Sequence, residues 1–175
     1  WLPSLGGNYY NGLLPGFVLH NYGLVSKRLE FYVAPMFGLR NHQLAGGAEV
    51  AYVRYFDHFI KQITVGVKAR RYAYNEWQVQ DGSKMIGQYT RITPFVVIDF
   101  RKRKPNGPFS HQLAFFANQL LTDSMKSING VQTVQQRSSN VNMVTYEIKH
   151  KHVLNNWQLQ FQAQQAGGMT RVQAS

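Results

Sequence analysis

The sequence predicts an all-β fold: an antiparallel transmembrane β-barrel, with about eight strands and part of a ninth visible. Three observations carry this expectation. Side chains alternate between apolar and polar with a period of two, the signature of a strand with unlike faces. The alternating stretches run to about 9–11 residues, the length a tilted strand needs to cross a bilayer, whereas soluble strands average about 5–6. The links between stretches differ in length, as they do in barrels with short turns on one side and long loops on the other.

The stretches are taken in chain order. Residues 11–21 alternate weakly. In 29–39, Leu29, Phe31, Val33, Pro35, Phe37 and Leu39 share a face, opposite Glu30, Tyr32, Ala34, Met36 and Gly38. Residues 44–55 alternate weakly and carry Glu49. In 59–74, Ile63, Val65, Val67 and Ala69 oppose Gln62, Thr64, Gly66, Lys68 and Arg70. In 91–101, Ile92, Pro94, Val96, Ile98 and Phe100 oppose Arg91, Thr93, Phe95, Val97, Asp99 and Arg101. Residues 111–121 and 140–154 are weaker cases. The clearest is 157–164, where Trp157, Leu159, Phe161 and Ala163 oppose Gln158, Gln160, Gln162 and Gln164. A ninth strand starts near Thr170, after a Gly167-Gly168 hairpin turn.

Phe31, Val33, Phe37, Ile63, Val65, Val67, Val96, Ile98, Leu159 and Phe161 are therefore expected to face lipid. Glu49, Gln62, Lys68, Arg70, Arg91, Asp99, Gln158, Gln160, Gln162 and Gln164 are expected to face a wet lumen. Short links are expected at 40–43, 56–58, 155–156 and 166–168, a basic turn at 101–108, and long loops at 75–87 and 122–139. Pro15, Pro35 and Pro94 fall inside three stretches and count against central strands, because proline cannot donate to the ladder. Bulges are one way to hold them.

Composition narrows the classes. The chain has no cysteine, which excludes disulfides and thiolate chemistry. Lys plus Arg outnumber Asp plus Glu by 19 to 8, for a formal charge of +11. Such a charge suits nucleic acid, lipid phosphate or a lumen equally well. The few charges on the apolar faces make nucleic acid an unfavoured partner. There is no apolar run of the ~18 residues a transmembrane helix requires. The chain begins at Trp1 and stops inside a strand-like stretch, and the two long loops fall on one side in a way that leaves a strand missing upstream. Residues 1–175 are thus expected to be one outer-membrane segment of a longer polypeptide, with no separate soluble domain.

Several stretches carry a family resemblance. They are Gly7-Asn8-Tyr9-Tyr10-Asn11-Gly12 with Gly16, residues 29–38, Leu44-Ala45-Gly46, Phe59-Ile60-Lys61-Gln62-Ile63, residues 89–94 and Phe100-Arg101-Lys102. Together they resemble the C-terminal outer-membrane barrel region that follows some aminopeptidase N-like zinc metallopeptidases of Bacteroidota. The resemblance implies an anchor for a peptidase-like part outside this chain. That family's His-Glu-x-x-His zinc motif is absent from these residues, so no catalytic residue carries over.

Few residues invite chemistry. His150 and His152 could ligate zinc or copper, but Lys149 and Lys151 repel a cation and no third ligand is evident. Glu49 and Asp99 could do acid–base work, yet each reads more simply as a counter-ion to Lys68, Arg70 or Arg91. The run 101–104 could hold phosphate, against the plainer reading of a solvated turn. Tyr9, Tyr10, Tyr52, Tyr55, Tyr72, Tyr74, Trp77 and Trp157 are candidates for an aromatic girdle. The expected role is a membrane anchor or structural subunit of a larger outer-membrane protein or complex, with outer-membrane lipid or lipopolysaccharide and protein as partners. No cofactor, metal site or enzymatic activity is expected of this chain. The alternatives are a passive diffusion channel and a soluble basic β-protein that binds nucleic acid.

Overall fold

The computed structural model describes all residues except 24–26, 79–83, 103–106, 129–130 and 152–154, and the side chains of 127–132 are likewise left aside. The described residues form ten strands: β1 (Leu2–Asn8), β2 (Gly12–His20), β3 (Leu29–Phe37), β4 (Leu44–Tyr55), β5 (Ile60–Gln78), β6 (Lys84–Phe100), β7 (Phe109–Ile128), β8 (Val131–His150), β9 (Trp157–Ala166) and β10 (Met169–Ala174). They lie in one sheet in chain order, each antiparallel to the next. The sheet is open, with β1 and β10 at its two edges. The sequence expectation of an antiparallel all-β fold holds; closure into a barrel is not part of the observed architecture.

Two corrections concern the elements. The count is ten rather than eight and part of a ninth, because residues 2–8 form β1, paired from Leu2↔Val18 to Asn8↔Gly12. The expected long loops are mostly strand. β5 and β6 stay paired out to Gln78↔Lys84, and β7 and β8 to Ile128↔Val131. These portions mix polar residues with scattered apolar ones, such as the Trp77–Met85 and Met125–Val134 pairs, so no apolar/polar alternation reveals them, yet backbone pairing needs no apolar face to continue. At 20 residues each, β7 and β8 run well past the turns beside them.

The prolines have a simple account. Pro15, Pro35 and Pro94 pair with Leu5, Gly46 and Val67 on one side. On the other side the β2–β3 ladder leaves them unpaired, and the β6–β7 ladder skips from Ile92↔Gln119 to Phe95↔Phe116. Each proline gives up a bond toward one neighbour and keeps its place through the other. Gly46 meets Pro35 with φ +129°, in a backbone conformation that L side chains rarely adopt.

The registers assign every strand's side chains to two faces. One face carries Leu19, Val33, Phe31, Val50, Val67, Val65, Val96, Phe115, Val144 and Ala163 in neighbouring strands. Among the described residues no second layer covers it, and Val50, Val65, Val67, Phe115 and Phe161 are each 40–48% exposed. The buried positions Leu14, Ala34, Ala51, Val53, Thr93, Phe95 and Ala114 lie on the opposite face. Side chains converge on the concave side of a curved sheet and splay on the convex side, so this difference in burial identifies the polar face as the concave one.

At one end of the strands the turns lock together. Arg40 N donates to Asn11 O at 3.0 Å, Asn41 Nδ2 to Asn11 Oδ1 at 2.6 Å, and Asn8 Nδ2 to Ala73 O at 3.2 Å. The Arg40 guanidinium reaches Glu76 at 3.0 Å, and Lys84 reaches the same carboxylate at 2.7 Å. These contacts tie the β1–β2 and β3–β4 turns to the projecting β5–β6 hairpin.

Candidate functional site

Polar residues line up in cross-strand rows on the concave face. Near the β4–β5 and β6–β7 turns, Gln62 pairs with Asp99, Asp99 with Gln112, Gln112 with Glu147, and Glu147 with Gln160. The row is hydrogen-bonded through Gln112 Nε2 to Asp99 Oδ1 at 2.7 Å. Glu147 is held by Lys149 at 2.7 Å and by the Gln158 amide. Further along the strands, Glu49 pairs across to Lys68, with the ammonium 3.3 Å from the carboxylate. Beyond that row stand Arg70 and Arg91, directly opposite one another.

The structure thus brings Glu49, Gln62, Lys68, Arg70, Arg91, Asp99, Gln158, Gln160, Gln162 and Gln164 to one face. It places Phe31, Val33, Phe37, Ile63, Val65, Val67, Val96, Ile98, Leu159 and Phe161 on the other. Period-two alternation sorts both sets, because a strand has only two faces. What sequence cannot show is which residues become row neighbours, since register is set between strands.

Two concavities open on the polar face. One, of about 220 Å³, is lined by Lys68, Arg70, Arg91, Thr93, Phe116 and Met143. The other, of about 530 Å³, shares Arg91 and Met143 and adds Tyr74, Tyr89, Asn118 and Leu120 among its walls. Arg91 Nε donates to Asn118 Oδ1 at 3.0 Å, and Asn118 Nδ2 donates to Val141 O at 3.3 Å. Lys68 also sits 4.8 Å above the Phe95 ring. Asn118 is not singled out from sequence. Asn118 stands in a stretch of weak alternation, and its tie to Arg91 depends on the β6–β7 register.

The other expectations divide. Of the girdle candidates, Tyr52 and Trp157 lie within strands on the apolar face, Trp157 stacked on His150 and edge-on to Phe109. Phe59 and Phe100 meet at 5.2 Å at the same end of the sheet. Tyr55 and Tyr72 instead lie on the polar face, opposite Gln62 and Tyr89, and Tyr74 packs against Tyr89 and Trp77. Tyr9 is in the β1–β2 turn, under the Arg40 guanidinium. Glu49 and Asp99 occupy different rows and do not form a carboxylate pair. No group of three or more His, Cys, Asp or Glu suited to a metal is found among the described residues. His152 of the histidine pair, and residues 103–104 of the basic run, lie outside those residues. In the β2–β3 connection the Tyr22 phenol titrates above its ordinary range, chiefly from partial desolvation of an otherwise exposed ring and then from the nearby carboxylate of Glu49.

No family model, no curated protein and no solved structure matches this chain.

Proposed function

We propose that this chain forms wall of an outer-membrane β-barrel and serves as the anchor or structural subunit of a larger outer-membrane protein. The observation that carries this reading is the uncovered apolar face. In a water-soluble protein such a face is packed under a second layer. Among the described residues it runs across the strands without one, and the charges that bracket it are spaced as a membrane wall requires. On β5 the band Ile63, Val65, Val67 and Ala69 is bracketed by Lys61 and Arg71. The ten steps from Lys61 to Arg71, at ~3.4 Å each and tilted by about 40°, set the two bracketing charges ~26 Å apart in height, against about 25 Å for the apolar band of outer-membrane barrels.

The polar rows on the concave face would then line the barrel interior, where ionised groups keep partners or water. The projecting β5–β6 and β7–β8 hairpins would leave the bilayer on one side, as long extracellular loops do. Closure, by pairing of β1 with β10 or with further strands, would remove both open edges. The likeness to barrel regions that follow aminopeptidase N-like metallopeptidases suggests a peptidase-like domain as the part being anchored.

Fractionation and gel migration test the reading. The full-length protein should stay with outer membranes, require detergent for extraction, and migrate differently before and after boiling. Purification of the chain as a water-soluble monomer would sink the proposal.

A further inference from the structure

The least explained feature of the polar face is the Arg70–Arg91 pair. Like charges directly opposite in a sheet destabilise it. A nearby carboxylate would relieve the repulsion, yet among the described residues no carboxylate forms an ion pair with either arginine. Glu49 is paired with Lys68, Glu76 with Arg40 and Lys84, Asp57 with Arg101, and Glu147 with Lys149. Asp99 accepts from Gln112, Asp123 from the Gln88 backbone, and Glu30 from the Lys27 backbone. Of the eight acidic residues in the chain, only Asp81 lies outside the described residues.

The pair is also shaped to receive something. With Lys68 it lines the smaller concavity, whose lining includes no acid. Arg91 is held in place through Nε and Nη2 by Asn118 Oδ1, which fixes the plane of its guanidinium. Guanidinium groups bind phosphate and carboxylate through paired N–H donors. The larger concavity, continuous with the first through Arg91 and Met143, offers Leu120, Val141 and Tyr89 as carbon-rich walls.

We propose that Arg70 and Arg91 form a binding site for an organic oxyanion. Its phosphate or carboxylate group sits between the two guanidiniums, and its carbon skeleton lies against Leu120, Val141 and Tyr89. The bound anion supplies the negative charge that the sheet itself withholds. The site rests on the geometry of the polar face and does not depend on what meets the apolar one.

Titration of the full chain in neutral detergent with phenyl phosphate and, separately, benzoate tests this, with binding read by calorimetry. At least one of the two should bind, and the tighter one identifies the headgroup. Arg70→Gln and Arg91→Gln should each weaken it roughly tenfold, equivalent to about 1.4 kcal/mol. Lys102→Gln removes one charge at a distant turn and should leave binding unchanged. Arg70→Gln should also raise the thermal midpoint at low salt, because it removes the repulsion. No binding of either probe overturns the proposal, as does an equal loss in Lys102→Gln, which would mean attraction to net charge alone. A lowered midpoint in Arg70→Gln would make the arginine structural and overturn it as well.

Discussion

Single residues decide how ten strands stay in register. Gly46 is the sharpest case. Its φ is +129°, and a Cβ built there would lie 2.0 Å from the carbonyl oxygen of Ala34. It stands opposite Pro35, which pairs with β4 but is left unpaired toward β2. Even alanine must therefore push backbone apart in the middle of the β3–β4 ladder. Gly46→Ala should destabilise the fold by about 1–3 kcal/mol, the range for overpacking and strain at a special φ. A lower urea midpoint for the refolded protein, followed by tryptophan fluorescence, is the expected outcome; an unchanged midpoint would mean that the strand shifts freely. Gly167 and Gly168, with φ of 52° and 86°, have no atoms within 4 Å of a built Cβ. There the demand is the turn alone, which is why the Gly-Gly hairpin could be read from sequence while the need for Gly46 could not. A turn is local chemistry; a close approach depends on the strand opposite.

Strands were legible where their two faces differ. In residues 29–39, 63–70, 91–101 and 157–164 the alternation assigns side chains to the faces they occupy, because unlike surroundings select opposite residue types. β1 escaped notice because Pro3, Leu5 and Gly7 oppose Leu2, Ser4, Gly6 and Asn8, and neither face is consistently apolar. It is a strand through its partner: seven residues pair in unbroken register with β2. The far halves of β7 and β8 escaped for a related reason. Ser139, Ser138, Arg137, Gln136 and Gln135 are polar on both faces and exposed, which reads as loop until the ladder is seen. β8 accordingly has an apolar half and a wet half on the same face. Val144 pairs with Phe115, and Gln136 pairs with Asp123. The absence of cysteine makes single-cysteine spin labels unambiguous. In lipid vesicles a label at Val144→Cys should be relaxed mainly by oxygen, and one at Gln136→Cys mainly by a water-soluble nickel chelate. Equal exposure of both to the chelate would mean that β8 does not enter the bilayer.

For the molecule as a whole, the exposed surface is the telling quantity. The chain exposes 12193 Å², whereas a compact soluble monomer of its 20.1 kDa mass would expose ~8,700 Å². The excess of ~3,500 Å² is that of a single open sheet with no second layer over its described residues, and the exposed apolar face contributes to it. An arginine placed in the middle of that face separates the possibilities. Val65 is 48% exposed and lies between Tyr52 and Val96 in neighbouring strands. If the face meets water, Val65→Arg is a surface substitution with an effect within about ±0.5 kcal/mol. If it meets lipid, the charge sits near the bilayer midplane and should cost about 2–4 kcal/mol. The measurement is reversible urea unfolding in phospholipid vesicles, with Thr64→Arg beside it on the polar face as the comparison. A large loss for Val65→Arg with little for Thr64→Arg is the outcome expected of a membrane wall. Equal effects, or greater solubility of Val65→Arg without detergent, would place the apolar face against a protein layer or water instead.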